Sequence, residues 1–163
     1  MLALGFDPGT ATTGYGVVAL EGSRLRYVAH GTIDTPAHTH FATRLQHIHE
    51  EAGRLLVRYR PDAVAIEKIY FKQNVTTGIA VAQARGVLAL SVAEAGLPLG
   101  EFAPAEVKAA VVGFGRAEKR QVQLMIQRLL ALDALPRPDD AADGLGLAIC
   151  LLHAGLPSAT TGQ

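Results

Sequence analysis

Two apolar stretches of this sequence end on an acid: LALGF runs into Asp7, and AVAI runs into Glu67. Burying an ionised carboxylate is costly unless it is paired or bound to a cation. An acid at the tip of each of two strands therefore asks for a common partner. A third acidic group lies in PDDAADGLGLAIC, where Asp140 and Asp143 stand three residues apart and share one face of a helix. A helix dipole offsets part of their repulsion, but four carboxylates gathered in one place still need cations. Oxygen-only ligands suit Mg²⁺ or Mn²⁺ rather than zinc. Two such ions about 3.5–4 Å apart activate a water and steady the leaving oxygen in phosphodiester cleavage. Taken singly the same residues have plainer roles, with Asp139 or Asp140 capping the helix and Asp143 solvated. The apolar run GLGLAICLL directly after Asp143 carries that segment into the core and weakens the plainer reading for the set.

Positive charge collects elsewhere. Between Pro104 and Arg128, the bases Lys108, Arg116, Lys119, Arg120 and Arg128 face only Glu106 and Glu118, a local excess of three charges in a chain of formal net charge zero. By itself such a stretch is an ordinary solvated helix face. His38, His40, His47 and His49 form a rival metal cluster, but His47 and His49 are two apart and point away from each other on a helix. Cys150 is the single cysteine and sits in LAICLL, which makes it a core thiol and rules out a disulfide within the chain.

The elements that must position these groups are legible in the hydrophobic pattern. Leu2 to Phe6, Gly14 to Leu20 and Arg24 to Ile33 read as three strands of a meander. Leu45, Ile48, Ala52, Leu55 and Leu56 recur at helical spacing in a helix from about Thr39 to Tyr59. AVAIE, residues 63–67, has the continuous apolar pattern of a strand covered on both faces. A buried helix over about Val75 to Ala95 follows, then a strand over Leu97 to Ala103 and a helix opened by Pro104. Further helices are expected over Glu118 to Leu132 and from Pro138 or Asp139 to about Ala154. The prediction is an α/β fold, a five-stranded mixed sheet flanked by helices. If the first and fourth strands are parallel neighbours, Asp7 and Glu67 sit side by side at their carboxyl ends.

Length and composition fit one folded domain, residues 1–155, with a disordered tail over 156–163. Hydrophobic residues make up 49% of the chain and charged residues 18%, the balance of a folded protein. The most apolar stretch, GIAVAQARGVLALSVAEAG, is interrupted by Gln83, Arg85, Ser91 and Glu94, which argues against a membrane span. No N-terminal stretch has the features of a secretory signal, so a cytoplasmic location is expected.

Five segments, FDPGTATTGYGVV, AIEKIYFKQN, QARG, VKAAVVGFGRAEKRQVQ and DDAADGLGLAI, taken together closely resemble the RuvC family of Holliday junction resolvases, from Leu2 to about His153. The resemblance implies a ribonuclease H-like fold, a homodimer, and Mg²⁺-dependent cutting of four-way DNA junctions in recombination and DNA repair, leaving 5′-phosphate and 3′-hydroxyl ends. It further implies two metal ions held by Asp7, Glu67, Asp140 and Asp143, with Mn²⁺ able to substitute. RuvA and RuvB are the branch-migration partners it suggests. Two family lysines that contact DNA and assist catalysis fall on Lys108 and Lys119, and Arg116 and Arg120 extend that basic surface. Tyr70 falls where the family has an aromatic, and with Phe71 and Lys72 it would stack on an unpaired base and contact DNA.

Three positions depart from the family pattern. Gly144 and Gly146 replace alanines common in the final helix, each at an expected cost of up to about 1 kcal/mol, and Lys68 replaces a frequent glutamine. The DPGT…TTGYG segment also resembles the phosphate loop of actin-like phosphotransferases, but those need two duplicated domains. A junction-binding protein that does not cut would need no acid cluster.

Overall fold

In the computed structural model, residues 1–69 and 75–156 are described. The expectations placed on Tyr70, Phe71 and Lys72, and on the tail from residue 157, lie outside the described residues.

Strands β1 (Leu2–Asp7), β2 (Thr12–Glu21) and β3 (Arg24–Asp34) form the expected antiparallel meander. They are followed by α1 (Phe41–Tyr59), β4 (Ala63–Glu67), α2 (Val75–Glu94) and β5 (Leu99–Phe102), and then by α3 (Pro104–Val112), α4 (Lys119–Leu129) and α5 (Asp139–Ala154). The sheet order is β3-β2-β1-β4-β5, with β4 parallel to both β1 and β5. This is the five-stranded mixed sheet of a ribonuclease H-like fold. Several ends differ by a few residues from the sequence expectation. Helix α1 starts at Phe41 rather than Thr39, whose N–H is drawn back to the Pro36 carbonyl at 3.2 Å. Helix α4 stops at Leu129, just before Ala131 takes up a positive φ of 50°.

Strand periodicity sorts the side chains by size. Leu4, Phe6, Val64 and Ile66 point to one face, where they meet Ile48, Ala52, Leu55 and Leu56 of α1 and Ala84, Leu88 and Val92 of α2. Ala3, Ala63 and Ala65 point to the other, against Leu145, Leu147, Ala148 and Leu151 of α5. Gly5 lies on this second face as well. A Cβ built on it would stand 2.2 Å from the Gly144 carbonyl oxygen. With small side chains on that face, α5 settles almost backbone to backbone on β1 and β2. Positions 7 and 67 continue the small-residue alternation, so both strand-tip acids project on the α5 side.

That close approach gives three glycines a task and corrects one reading. Gly14 and Gly16 of β2 admit α5: a Cβ on Gly14 would stand 1.9 Å from the Asp140 carbonyl oxygen, and one on Gly16 would stand 2.3 Å from the Leu145 nitrogen. Gly144 is a contact point rather than a mere weakness in its helix, because its Cβ would fall 2.6 Å from the Tyr15 carbonyl carbon. Gly146 has more room, with the Val107 Cγ1 at 3.2 Å as the nearest atom.

Helix α2 departs from the buried helix expected. Ala84, Leu88, Ser91 and Val92 are buried, but Ile79 and Leu90 are 51% and 53% exposed. By length and composition Thr76–Glu94 would pass as a membrane span, at mean hydropathy 1.3, yet only 22% of that window is buried inside the fold. Polar contacts fix it to its neighbours: Ser91 shares a hydrogen bond of 2.8 Å with His49 of α1, and Arg85 pairs with Glu101 of β5.

Candidate active site

The turn after β1 presents Asp7. It is closed by Thr13, whose hydroxyl donates to the Gly9 carbonyl at 2.7 Å, and by Thr35, whose hydroxyl donates to the Thr10 carbonyl at 2.5 Å. Gly9 is required there, since a Cβ would lie 2.2 Å from the Thr12 carbonyl oxygen. Register sets Phe6 opposite Ile66, which leaves Asp7 and Glu67 as neighbouring strand tips. Asp140 and Asp143 come over them from the first turns of α5.

Asp7, Glu67 and Asp143 line one cavity of about 220 Å³ together with Lys108 and Lys119. Pro104, Val107, Val122, Gly146 and Leu147 make the apolar part of its wall. Asp140 is outside that lining but close enough for its charge to act on Asp7. Arg116 and Arg120 are exposed and do not line the cavity. A larger hollow of about 600 Å³ lies between α1 and α2 around His49, Ser91 and Glu94, and none of the four acids lines it.

The electrostatics are those of an anionic cluster short of counterions. Burial, followed by the charges of Asp143, Glu67 and Asp140, pushes the Asp7 carboxyl up to about 8. Burial and then Asp143 raise Glu67, against the pull of Lys119 and Lys108. Burial also raises Asp143, although Lys119 opposes it. Lys119 supplies the nearest positive charge: its Nζ donates to Asp143 Oδ2 at 3.1 Å and lies 3.5 Å from Asp139 Oδ2. Burial disfavours that ammonium, but Asp143 and Asp139 more than compensate and hold it above the usual lysine range.

Asp139 and Asp140 do not cap α5 as expected. The cap position is Pro138, with no side-chain cap, and both aspartates fall in the first turn. Asp139 is occupied otherwise, its Oδ1 accepting from Gln123 Nε2 at 2.9 Å. That hydrogen bond, followed by the Lys119 charge, lowers its pKa. Asp139 and Gln123 are the neighbours of the acid cluster that sequence reasoning did not assign. The one available signal was the i, i+4 spacing of Lys119 and Gln123 on α4. Lys68, the departure beside Glu67, turns to Glu106 at 3.8 Å.

Among the described residues, no three His, Cys, Asp or Glu side chains converge as a finished metal shell. Of the four histidines, His49 is engaged with Ser91 and with Glu94 at 3.4 Å. The acid cluster nevertheless fits hard divalent ions by donor chemistry. It offers carboxylate oxygens alone, with Asp7 raised to about 8 by burial and by the neighbouring carboxylates, and a lysine ammonium resting against Asp143. Cys150 is buried and its thiol is pushed up to about 11 by burial, as a core residue should be.

Comparison with known proteins gives a consistent picture. The family model described as crossover junction endodeoxyribonuclease RuvC matches residues 3–151. The protein of that name from Syntrophomonas wolfei is 54% identical over 153 residues, covering 94% of this chain and 89% of the relative. The one from Heliobacterium modesticaldum is 52% identical over 153 residues, covering 94% of each. Among solved structures, Thermus thermophilus RuvC in complex with a Holliday junction substrate superposes with a TM-score of 0.87 at 34% identity, covering 92% of both chains.

Proposed function

The chain belongs to the RuvC family of crossover junction endodeoxyribonucleases, and from that premise we propose that it resolves four-way DNA junctions by paired, divalent-metal-dependent phosphodiester cleavage. The observation that carries this reading is the convergence of Asp7, Glu67 and Asp143 with Lys108 and Lys119 on one cavity at the carboxyl ends of β1 and β4. A binding protein that never cuts has no use for such a costly carboxylate cluster.

Asp7, Glu67, Asp140 and Asp143 would hold two Mg²⁺ ions, with Mn²⁺ as a substitute. Bound there, the ions supply activation of water and stabilisation of the leaving oxygen. The remaining steps belong to the chain. Lys108 and Lys119 bring positive charge to the scissile phosphate and stabilise what develops on it. Lys119 exchanges its contact with Asp143 for one with DNA. Arg116 and Arg120, exposed beyond the cavity, engage the phosphate backbone, and Tyr70, Phe71 and Lys72 meet the opened junction. The products carry 5′-phosphate and 3′-hydroxyl ends.

Two matched cuts require two matched sites, and a symmetric homodimer supplies them. The exposed apolar residues Ile79 and Leu90 of α2 favour that helix as the interface. Family membership supports action beside RuvA and RuvB in the cytoplasm. The test is cleavage of a synthetic four-way junction and of a linear duplex, with Mg²⁺ or Mn²⁺, by the wild type and by Asp7→Asn. Junction-selective nicking that requires metal and is lost in the variant supports the proposal. Binding without nicking would sink it, and equal cutting of duplex would remove its selectivity.

A further inference from the structure

The QARG segment is the one motif that this function leaves without a task, and Arg85 occupies a particular place in the structure. Strand β4 ends at Glu67. The Lys68 N–H turns toward β5 and donates to the Phe102 carbonyl at 2.8 Å, so the backbone of Glu67 faces β1. Continued by one step, the register that pairs Phe6 with Ile66 sets Glu67 opposite Asp7. In a parallel ladder the donor for the Glu67 carbonyl is then the next residue of β1. That residue is Pro8, which has no N–H. The ladder therefore fails at the two acid-bearing tips, and a carbonyl left without a donor is costly.

Arg85 closes the gap. Its Nε donates to the Glu67 carbonyl at 3.1 Å, and its guanidinium is braced on the far side by an ion pair with Glu101 of β5. The side chain is mostly covered, at 24% exposure. A second tie runs parallel to the first: the Thr10 hydroxyl, three residues beyond Asp7, donates to the Ala80 carbonyl of α2 at 2.9 Å. Helix α2 is thus hydrogen-bonded to both segments that carry the strand-tip acids, through the Glu67 carbonyl on one and the Thr10 hydroxyl on the other.

We propose that Arg85 is a positioning residue for metal binding, replacing the ladder bond that Pro8 cannot make and fixing the Glu67 carboxylate relative to Asp7. This rests on the metal-dependent reading above. Groups that orient ligands from behind change metal affinity by roughly 10- to 100-fold when removed. The Glu67 carboxylate itself is untouched by the change, so its donor atoms remain while their placement is lost.

The experiment titrates Mn²⁺ into DNA-free protein by calorimetry, for the wild type, Arg85→Gln, Arg85→Lys and Glu101→Gln. In parallel it measures the metal concentration for half-maximal junction cleavage and junction affinity in EDTA. Arg85→Gln should weaken Mn²⁺ binding about tenfold or more and raise the metal requirement for cleavage by a similar factor, with metal-free junction affinity held. Arg85→Lys should restore part of the loss through a single donor, and Glu101→Gln should shift metal affinity in the same direction by less. A folded Arg85→Gln protein with wild-type Mn²⁺ affinity overturns the proposal. Should Arg85→Gln fail to fold, unchanged Mn²⁺ affinity in Glu101→Gln overturns it equally. A wild type that binds no Mn²⁺ would bring down the metal reading along with this one, whereas a binding wild type with unaffected variants removes only the role of Arg85.

Discussion

Replacing Gly144 by alanine separates helix propensity from helix seating. In an isolated helix the change should gain up to about 1 kcal/mol. In this fold the new Cβ falls 2.6 Å from the Tyr15 carbonyl carbon and 2.7 Å from the Gly16 nitrogen, both backbone atoms of β2 that no rotamer change can move. Ordinary contact needs about 3.5–4 Å, so α5 must withdraw by about 1 Å at that point. Overpacking of this kind costs typically about 1–3 kcal/mol, so after a helix gain of about 1 kcal/mol the net effect of Gly144→Ala is a loss of up to about 2 kcal/mol. For a chain of this size that lowers the melting temperature by up to roughly 8 °C. The same withdrawal displaces Asp143, the adjacent residue, and a misplacement of about 1 Å at a reacting centre costs on the order of 100-fold in rate. Gly146→Ala is the control, since its Cβ meets only the movable Val107 Cγ1 at 3.2 Å. It should be neutral or stabilising by up to about 1 kcal/mol and should keep its activity. Thermal melts and junction-cleavage rates of the two variants decide the matter. Equal melting temperatures and equal rates for Gly144→Ala and the wild type would refute the claim that backbone contact of α5 with β2 sets the position of the acids.

Other outcomes follow from the same geometry. Asp7 stands at about 8 in the fold against an ordinary 3.8, so folding at pH 7 takes up a proton, and this contribution to metal-free stability declines as pH rises between those two values. At about 1.36 kcal/mol per unit, Asp7→Asn should stabilise the protein in EDTA by up to about 4 kcal/mol at pH 7, with the gap closing near pH 4; a gap independent of pH in melting curves would contradict the burial argument. Lys119→Met should slow cleavage about 100-fold or more at saturating junction, measured in single-turnover assays, while leaving most of the binding affinity. Leu90→Glu on α2 should shift the protein toward monomer in sedimentation runs and uncouple the two cuts of one junction.

Much of this architecture could be read from the chain because apolar runs and their interruptions are one-dimensional signals. Asp7 and Glu67 each terminate an apolar run, and α1 carries the chain from β3 at the sheet edge across to β4, which lies parallel beside β1. What could not be read depends on contacts distant in sequence. The need for glycine at positions 14 and 16 is invisible in the strand pattern, and Gly144 looks like a helix-weakening residue, until α5 is laid on β2. Asp139 has the composition of a cap, yet Gln123 and Lys119 engage it from another helix. The exposed side of α2 is invisible to a pattern that is apolar throughout, because hydropathy states which residues avoid water but not what covers them. Arg85 was visible as part of a motif, but its partner is a backbone carbonyl freed by a proline on a third element.

The central claim is that Asp7, Glu67, Asp140 and Asp143 form a divalent-metal centre that cuts junction DNA. Anomalous diffraction from crystals soaked in Mn²⁺ tests it most directly. The account predicts manganese peaks between the tips of β1 and β4 and the first turns of α5, ligated by these carboxylates and absent in crystals of Asp7→Asn. Manganese bound only elsewhere, at the α1 histidines for example, with the acid cluster still closed on Lys119, would contradict it.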